Sequence, residues 1–338
     1  MVERNRSMRR CNCLRAVRSL SLVILAGFIF ACTALPRHPR PSDFEDLGPG
    51  FSGQLVQAHL AALRGVWERL PGAEGDEIAR AYLAREFRLS GARTDRLVGG
   101  DREHLIADLP GESRDVVLLV AAYPHPDSDS GDSVGDTGAA VLVELARVLG
   151  ASEQPYGLRF ALAEARPAKT ESDREASSKA SESAQAGDAR HTARERLIEA
   201  GRALAMGIES EGGTDRIRAV IVLDLSARSS LVFARDLRSH PGFREIFWES
   251  AARLGAESMF PPDADWASPK SLQLGFRERS MDRILALVDV AMEPDARGVA
   301  LSGSEEGRAR ALDSLGPVLV DALGRLMQRL EKVDAFSR

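Results

Sequence analysis

The sequence predicts an α/β fold of three layers, a mixed central sheet with helices on both faces. Two stretches carry the prediction. Val116 to Ala122 is a near-continuous run rich in Val and Leu, the pattern of a strand buried on both faces in a parallel or mixed sheet. Beyond it, Val141, Leu142, Leu145, Val148 and Leu149 recur at helical spacing, so a helix follows the strand. Open α/β sheets hold their sites in crevices outside the carboxyl ends of strands. The connecting loop, Tyr123 to Gly135, contains His125, Asp127, Asp129 and Asp132, with Asp136 just past it. That loop is where chemistry is expected.

From the N-terminus, Arg4, Arg6, Arg9, Arg10, Arg15 and Arg18 precede an apolar stretch from Leu20 to Ala31. About a dozen residues suit a signal sequence and fall short of the ~20 of a membrane span. Ile29-Phe30-Ala31-Cys32 is similar to a bacterial lipobox. Residues 1–32 are therefore read as a signal and lipoprotein segment with Cys32 lipidated. The protein is expected outside the cytoplasm, anchored to a bacterial membrane on its periplasmic or cell-surface side. An uncleaved signal anchor and ordinary secretion are the alternatives. All three cysteines, Cys11, Cys13 and Cys32, lie in or beside this segment, which leaves the mature domain no disulfide, no thiolate metal ligand and no cysteine nucleophile. Residues 33–50, with Pro36, Pro39, Pro41 and Pro49, read as an extended tether.

The domain is placed at residues 51–336. Phe51–Leu70 and Glu77–Leu89 read as helices separated by Pro71-Gly72. Gly91–Leu109 reads as a hairpin turning at Gly99-Gly100, with His104 a strand residue without a role. Leu158–Ala163 is a strand ending at Glu164. Pro167–Thr192 lacks any large apolar residue, so it is expected to be a disordered insertion. Arg194–Met206 reads as a helix, Arg218–Leu225 as a strand with Asp224 near its end, and Ser230–Ala234 as a further strand. Phe243–Leu254 is a helix preceded by His240, which is expected to be structural. Phe260–Ser271 is a loop, Ile284–Val290 the last central strand, and Ser314–Leu330 the closing helix. The 338 residues are 44% hydrophobic and 28% charged with a net charge of −5. That composition is globular and lacks the basic footprint of a nucleic-acid binder.

This layout resembles metallopeptidase family 28, the zinc aminopeptidases and their glutaminyl cyclase relatives. The helix Leu142-Val143-Glu144-Leu145-Ala146-Arg147 matches the family's Leu-Leu-Glu-Leu-Ala-Arg, and Tyr82-Leu83-Ala84-Arg85-Glu86-Phe87 is similar to a helix that precedes its metal strand. Asp236 to Arg244, with Ser239-His240-Pro241, resembles a subgroup of glutaminyl-cyclase-like proteins. The metal motifs differ. By the resemblance the ligand His falls on Ala122, its partner Asp on Pro124 and the bridging Asp on Val134. The family's Asp-Gly-Glu-Glu becomes Glu164-Ala165-Arg166-Pro167, and no histidine follows His240.

The resemblance thus implies a zinc-exopeptidase-like domain that has lost its metal site, binds no cofactor and acts by binding an unknown protein or peptide ligand. Two alternatives stay open. The first is an active zinc aminopeptidase or glutaminyl cyclase with a displaced site, its metal held by His125, Asp127, Asp132, Asp136 and Asp224, with Glu164 as the catalytic carboxylate. The second is a serine hydrolase using Ser133, because Gly131-Asp132-Ser133-Val134-Gly135 matches a nucleophile elbow with Asp224 and His240 following in order.

Overall fold

The computed structural model describes residues 48–69, 73–123, 136–165, 186–225, 229–263, 265–266, 271–290 and 304–336. Its elements in chain order are α1 (Gly53–Arg69), α2 (Ala73–Leu89), β1 (Arg93–Gly99), β2 (Arg102–Leu109), β3 (Val116–Tyr123), α3 (Asp136–Leu149), β4 (Gly157–Glu164) and α4 (Ala186–Ser210). They continue with β5 (Ile217–Asp224), β6 (Arg235–Asp236), α5 (Pro241–Arg253), β7 (Asp265–Trp266), α6 (Leu272–Arg277), β8 (Ile284–Val288) and α7 (Glu305–Phe336).

Six strands form one mixed sheet in the order β1-β2-β4-β3-β5-β8. The β1–β2 hairpin and the β2–β4 pair are antiparallel, whereas β3 runs parallel to β4 and β5, and β5 parallel to β8. Alternation along β3 divides two cores. Val117, Leu119, Ala121 and Tyr123 face one built from α1, α2, α3, α5 and α7. Leu118, Val120 and Ala122 face the other, built from α4 and α6. Because side chains alternate with period two, a strand that is apolar at every position must serve two layers. The three-layer α/β expectation is met.

The match to the family's Leu-Leu-Glu-Leu-Ala-Arg has a structural cause. Glu144 is fully buried. It accepts the Ser52 N–H at 2.8 Å and is held by Arg147 from Nε at 2.8 Å and from Nη2 at 2.7 Å. Ser52 in turn accepts the Leu55 N–H through its hydroxyl at 3.3 Å, and Asp313 of α7 accepts the Gly53 N–H at 2.5 Å. The N–H groups that open α1 have no partners within their own helix. Here side chains of α3 and α7 supply them.

Several elements depart from expectation. β8 is the terminal strand of the sheet rather than a central one, yet all five of its residues are buried. Its outer edge is filled by the segment ahead of α5. The Ala286 N–H donates to Ser239 Oγ at 2.9 Å, and the His240 N–H donates to the Ile284 carbonyl at 2.7 Å. Ser239 Oγ donates to Asp236 Oδ2 at 2.7 Å, and Asp236 Oδ1 accepts the Arg238 N–H at 3.0 Å. An apolar run reports burial on two faces and says nothing of pairing on two edges. Ser230–Ala234 forms only a single bridge, Phe233 to Asp289, and the short strand lies at β6, paired parallel with β7. The loop expected at Phe260–Ser271 therefore contains β7, and α6 follows where no helix was expected.

α7 begins at Glu305, well before the Ser314 start expected for the closing helix. Pro317 lies inside the helix, and the Phe51 ring lies where a side chain at Gly316 would project. α4 begins at Ala186, so the last residues of the segment read as disordered are its first turns; the rest of that segment lies outside the described residues. Cys32, the signal segment and nearly all of the tether lie outside them too. Among the described residues no helix is long and apolar enough to cross a membrane.

Candidate functional site

The four parallel strands β3, β4, β5 and β8 deliver their carboxyl ends to one edge of the sheet. The residues arriving there are Tyr123, Glu164, Asp224 and, just past Val288, Asp289. The start of β2 joins them, because β2 runs antiparallel beside β4. All of these groups are buried.

Glu164 is built into the sheet. Its Oε2 accepts the Glu103 N–H at 2.7 Å, its N–H donates to His104 Nδ1 at 3.0 Å, and its carbonyl accepts from Arg102 Nη1 at 2.9 Å. These bonds extend the β2–β4 pairing beyond the last ladder residues. Arg102 also reaches Glu199 of α4 at 3.0 Å. His104 is fully buried. Burial, with help from Arg102 and Arg80, lowers its pKa to about 3, so at neutral pH it is an uncharged acceptor. Sequence reasoning gave His104 no role. The signal available was its inward position on β2, two residues from Arg102 and two from Ile106.

Asp224 lies at the end of β5, on the α4 and α6 side. Burial raises its pKa from 3.8 to about 6, while the Ser271 hydroxyl, the Leu272 N–H and the Arg194 guanidinium pull the other way. Its Oδ2 is buried with no hydrogen-bond partner among the described residues. Neither Arg194, within α4, nor Ser271, just ahead of α6, was marked by the sequence, since each meets a strand distant in the chain. Asp136 opens α3 and is buried. The helix reaches the sheet there because Gly138 has no side chain: a Cβ would lie 2.8 Å from the Leu223 carbonyl and 2.9 Å from the Ala121 Cβ.

His125, Asp127, Asp132 and Ser133 lie outside the described residues. Of the expected metal and catalytic residues, the structure therefore places Asp136, Glu164 and Asp224. His240 precedes α5 and stacks on Phe243 at 4.1 Å, at the amino end of β8 and away from the strand ends that carry Asp224.

A zinc site needs at least three protein ligands around one ion. Among the described residues no group of three His, Cys, Asp or Glu side chains is arranged to hold a metal. Ala122 stands where the resemblance puts a ligand His, the Tyr123 hydroxyl donates to the Asp76 carbonyl at 2.6 Å, and Glu164 is engaged by backbone. Asp224 Oδ2, with no hydrogen-bond partner among the described residues, is a carboxylate oxygen that suits a cation, but it is a single ligand. The described residues do not fit zinc.

The fold is that of bacterial glutaminyl cyclases and zinc-dependent exopeptidases. One similar solved structure is an Acidobacteriales bacterium glutaminyl cyclase, with a TM-score of 0.60 and 21% identity over 83% of this chain and 96% of that one. Another is the Porphyromonas gingivalis glutaminyl cyclase, with a TM-score of 0.62 and 17% identity over 82% and 99%. A Zn-dependent exopeptidase from Parabacteroides distasonis gives 0.57 and 17% over 82% and 99%. No family profile matches the chain, and no curated protein matches it. At these identities the likeness is one of fold.

Proposed function

We propose that the chain is an exported, lipid-anchored relative of the zinc aminopeptidases and glutaminyl cyclases whose catalytic site no longer operates, and that it acts by binding a protein or peptide ligand. The observation that carries this reading is the engagement of Glu164. It is the one carboxylate left in the motif that supplies the family's catalytic base and a zinc ligand, standing where that motif begins while the Glu pair falls on Arg166-Pro167, and its Oε2 accepts a backbone N–H of β2 at 2.7 Å. That bond ties the carboxylate to β2, and turning the group toward a substrate would leave a part-buried N–H without its acceptor.

A second reading has one specific observation in its favour. The free Oδ2 of Asp224 is what a displaced zinc site would use, with His125 and Asp127 supplied by the loop after β3. Assays of the full chain with added zinc separate the two, using aminoacyl arylamides and peptides with N-terminal glutamine. The proposal expects no zinc-dependent turnover. Turnover that Asp224→Ala and His125→Ala each abolish would overturn it.

A further inference from the structure

We propose a phosphate-binding site at the amino end of β8, built by His240, Arg283 and Arg329. It lies at the sheet edge opposite the carboxyl strand ends described above, and it is independent of whether those ends hold a metal. The three side chains come from three places: the residue before α5, the residue before β8, and α7.

Two of them, His240 and Arg329, meet over Gly242, and Arg283 lies near the Phe243 ring next to it. A Cβ there would lie 3.4 Å from His240 Cε1, 3.6 Å from His240 Nδ1 and 3.9 Å from Arg329 Nη2. The imidazole and the guanidinium therefore flank a bare α-carbon. Phe243 orients the group. His240 stacks on its ring at 4.1 Å and 28°, and the Arg283 guanidinium carbon lies 5.8 Å from the same ring's centre. The backbone beneath is fixed by the His240 N–H to Ile284 carbonyl bond of 2.7 Å.

The charge in this cluster is uncompensated. Nearby Arg218 pairs with Asp334 and Asp115, and Arg325, one turn earlier on α7, pairs with Glu249. Among the described residues, neither Arg283 nor Arg329 forms an ion pair. Asp334, the carboxylate that supports Arg283, is already engaged by Tyr156 at 2.7 Å and by Arg218. Burial first, then Arg283 and Arg329, lower the His240 pKa. Burial first, then Arg218, lower that of Arg283. His240 Nδ1 is screened from solvent and has no hydrogen-bond partner among the described residues.

Like charges gathered without a counterion cost stability, and an anion relieves the cost. Guanidinium groups match the oxygens of phosphate with paired, charge-assisted hydrogen bonds. Donors carried on three separate segments of the chain suit a tetrahedral oxyanion better than a planar carboxylate with two oxygens. The same chemistry serves a free phosphate or phosphomonoester and the phosphodiester of a lipid headgroup.

The test is titration of the full chain with inorganic phosphate, following the His240 ring by NMR and heat by calorimetry. The site predicts a saturable shift of the His240 signal, absent in His240→Gln. In Arg283→Gln/Arg329→Gln, affinity falls by about tenfold or more, the size expected when charge-assisted bonds are lost. Arg325→Gln leaves it unchanged. A soluble glycerophosphodiester in place of phosphate separates the sources: equal affinity assigns the site to lipid headgroups, and much weaker binding assigns it to free phosphate or monoesters. No saturable change at His240, or unchanged affinity in the double variant, would overturn the proposal. Far-ultraviolet circular dichroism of the double variant in phosphate-free buffer establishes that lost binding is not lost folding.

Discussion

Glu144 and Asp224 are both buried carboxylates close to the central sheet, and their surroundings differ sharply. Glu144 is fully buried and receives a backbone N–H and two contacts from Arg147. Asp224 is 2% exposed with an orphaned Oδ2 and a pKa raised to about 6. The first carboxylate is part of the scaffold and is satisfied. The second stands where strands end, at the edge where related folds carry out chemistry, and it is under strain. On the proposed reading, the same contrast explains why packing segments of this chain resemble a known family while its metal motifs do not: packing constrains every member of a fold, and a ligand constrains only the members that hold it.

Breaking the satisfied carboxylate gives the largest expected effect. Glu144→Ala leaves Arg147 without its partner and the Ser52 N–H without an acceptor. Removing one member of a buried pair costs about 3–5 kcal/mol. Arg147 is 34% exposed, so water takes part of its charge and the lower end, about 3 kcal/mol, is expected. Urea unfolding measures it, and a loss under about 1 kcal/mol would show that the clamp does not organise α1.

The strained carboxylate gives the next effect, with the opposite sign at neutral pH. Asp224 has a folded pKa of about 6 against 3.8, so the folded chain holds a proton that the unfolded chain releases. Its stabilising contribution is complete below about pH 4 and is lost as pH rises through about 6. The loss by pH 7 is at most about 3 kcal/mol, at ~1.4 kcal/mol per pKa unit. Asp224→Asn cannot ionise, so its stability relative to the parent should rise between pH 4 and pH 7. A fall over that interval would mean that the ionised carboxylate holds a cation.

The edge of β8 offers a smaller effect. Ser239→Ala removes the acceptor of the Ala286 N–H and the donor to Asp236, and should cost about 1–3 kcal/mol. A neutral result would show that the segment ahead of α5 does not close the sheet. At the bottom of the scale is the rim pair between Arg325 and Glu249, 34% and 60% exposed. Arg325→Ala should cost less than about 1 kcal/mol, because surface pairs are screened.

The elements with the strongest period were readable in the sequence. β3, the β1–β2 hairpin, β4, β5, α3 and α5 follow from apolar runs, turn residues and helical spacing, because those patterns are local. What was not legible depended on distant partners. Nothing within Ile284–Val288 says that its outer edge is closed by Ser239 and His240. The closing helix, read from Ser314, begins at Glu305 and carries Pro317 inside it, with the Phe51 ring against Gly316. At the site, Asp224 could be named from its place at a strand end. Its setting beside Ser271, Leu272 and Arg194 could not, nor could the engagement of Glu164 by His104 and Glu103, because each joins elements far apart in the chain.

The central claim is that the carboxyl ends of the parallel strands hold no metal, and the most direct measurement is zinc per chain. The full chain, purified without chelator and dialysed against micromolar zinc, should retain well below about 0.1 ion per molecule, and Asp224→Asn should leave that value unchanged. About one or two tightly held ions per chain, the stoichiometry of a working zinc site, lost on Asp224→Asn and on His125→Ala, would contradict the account and place a displaced metal centre beside Asp224.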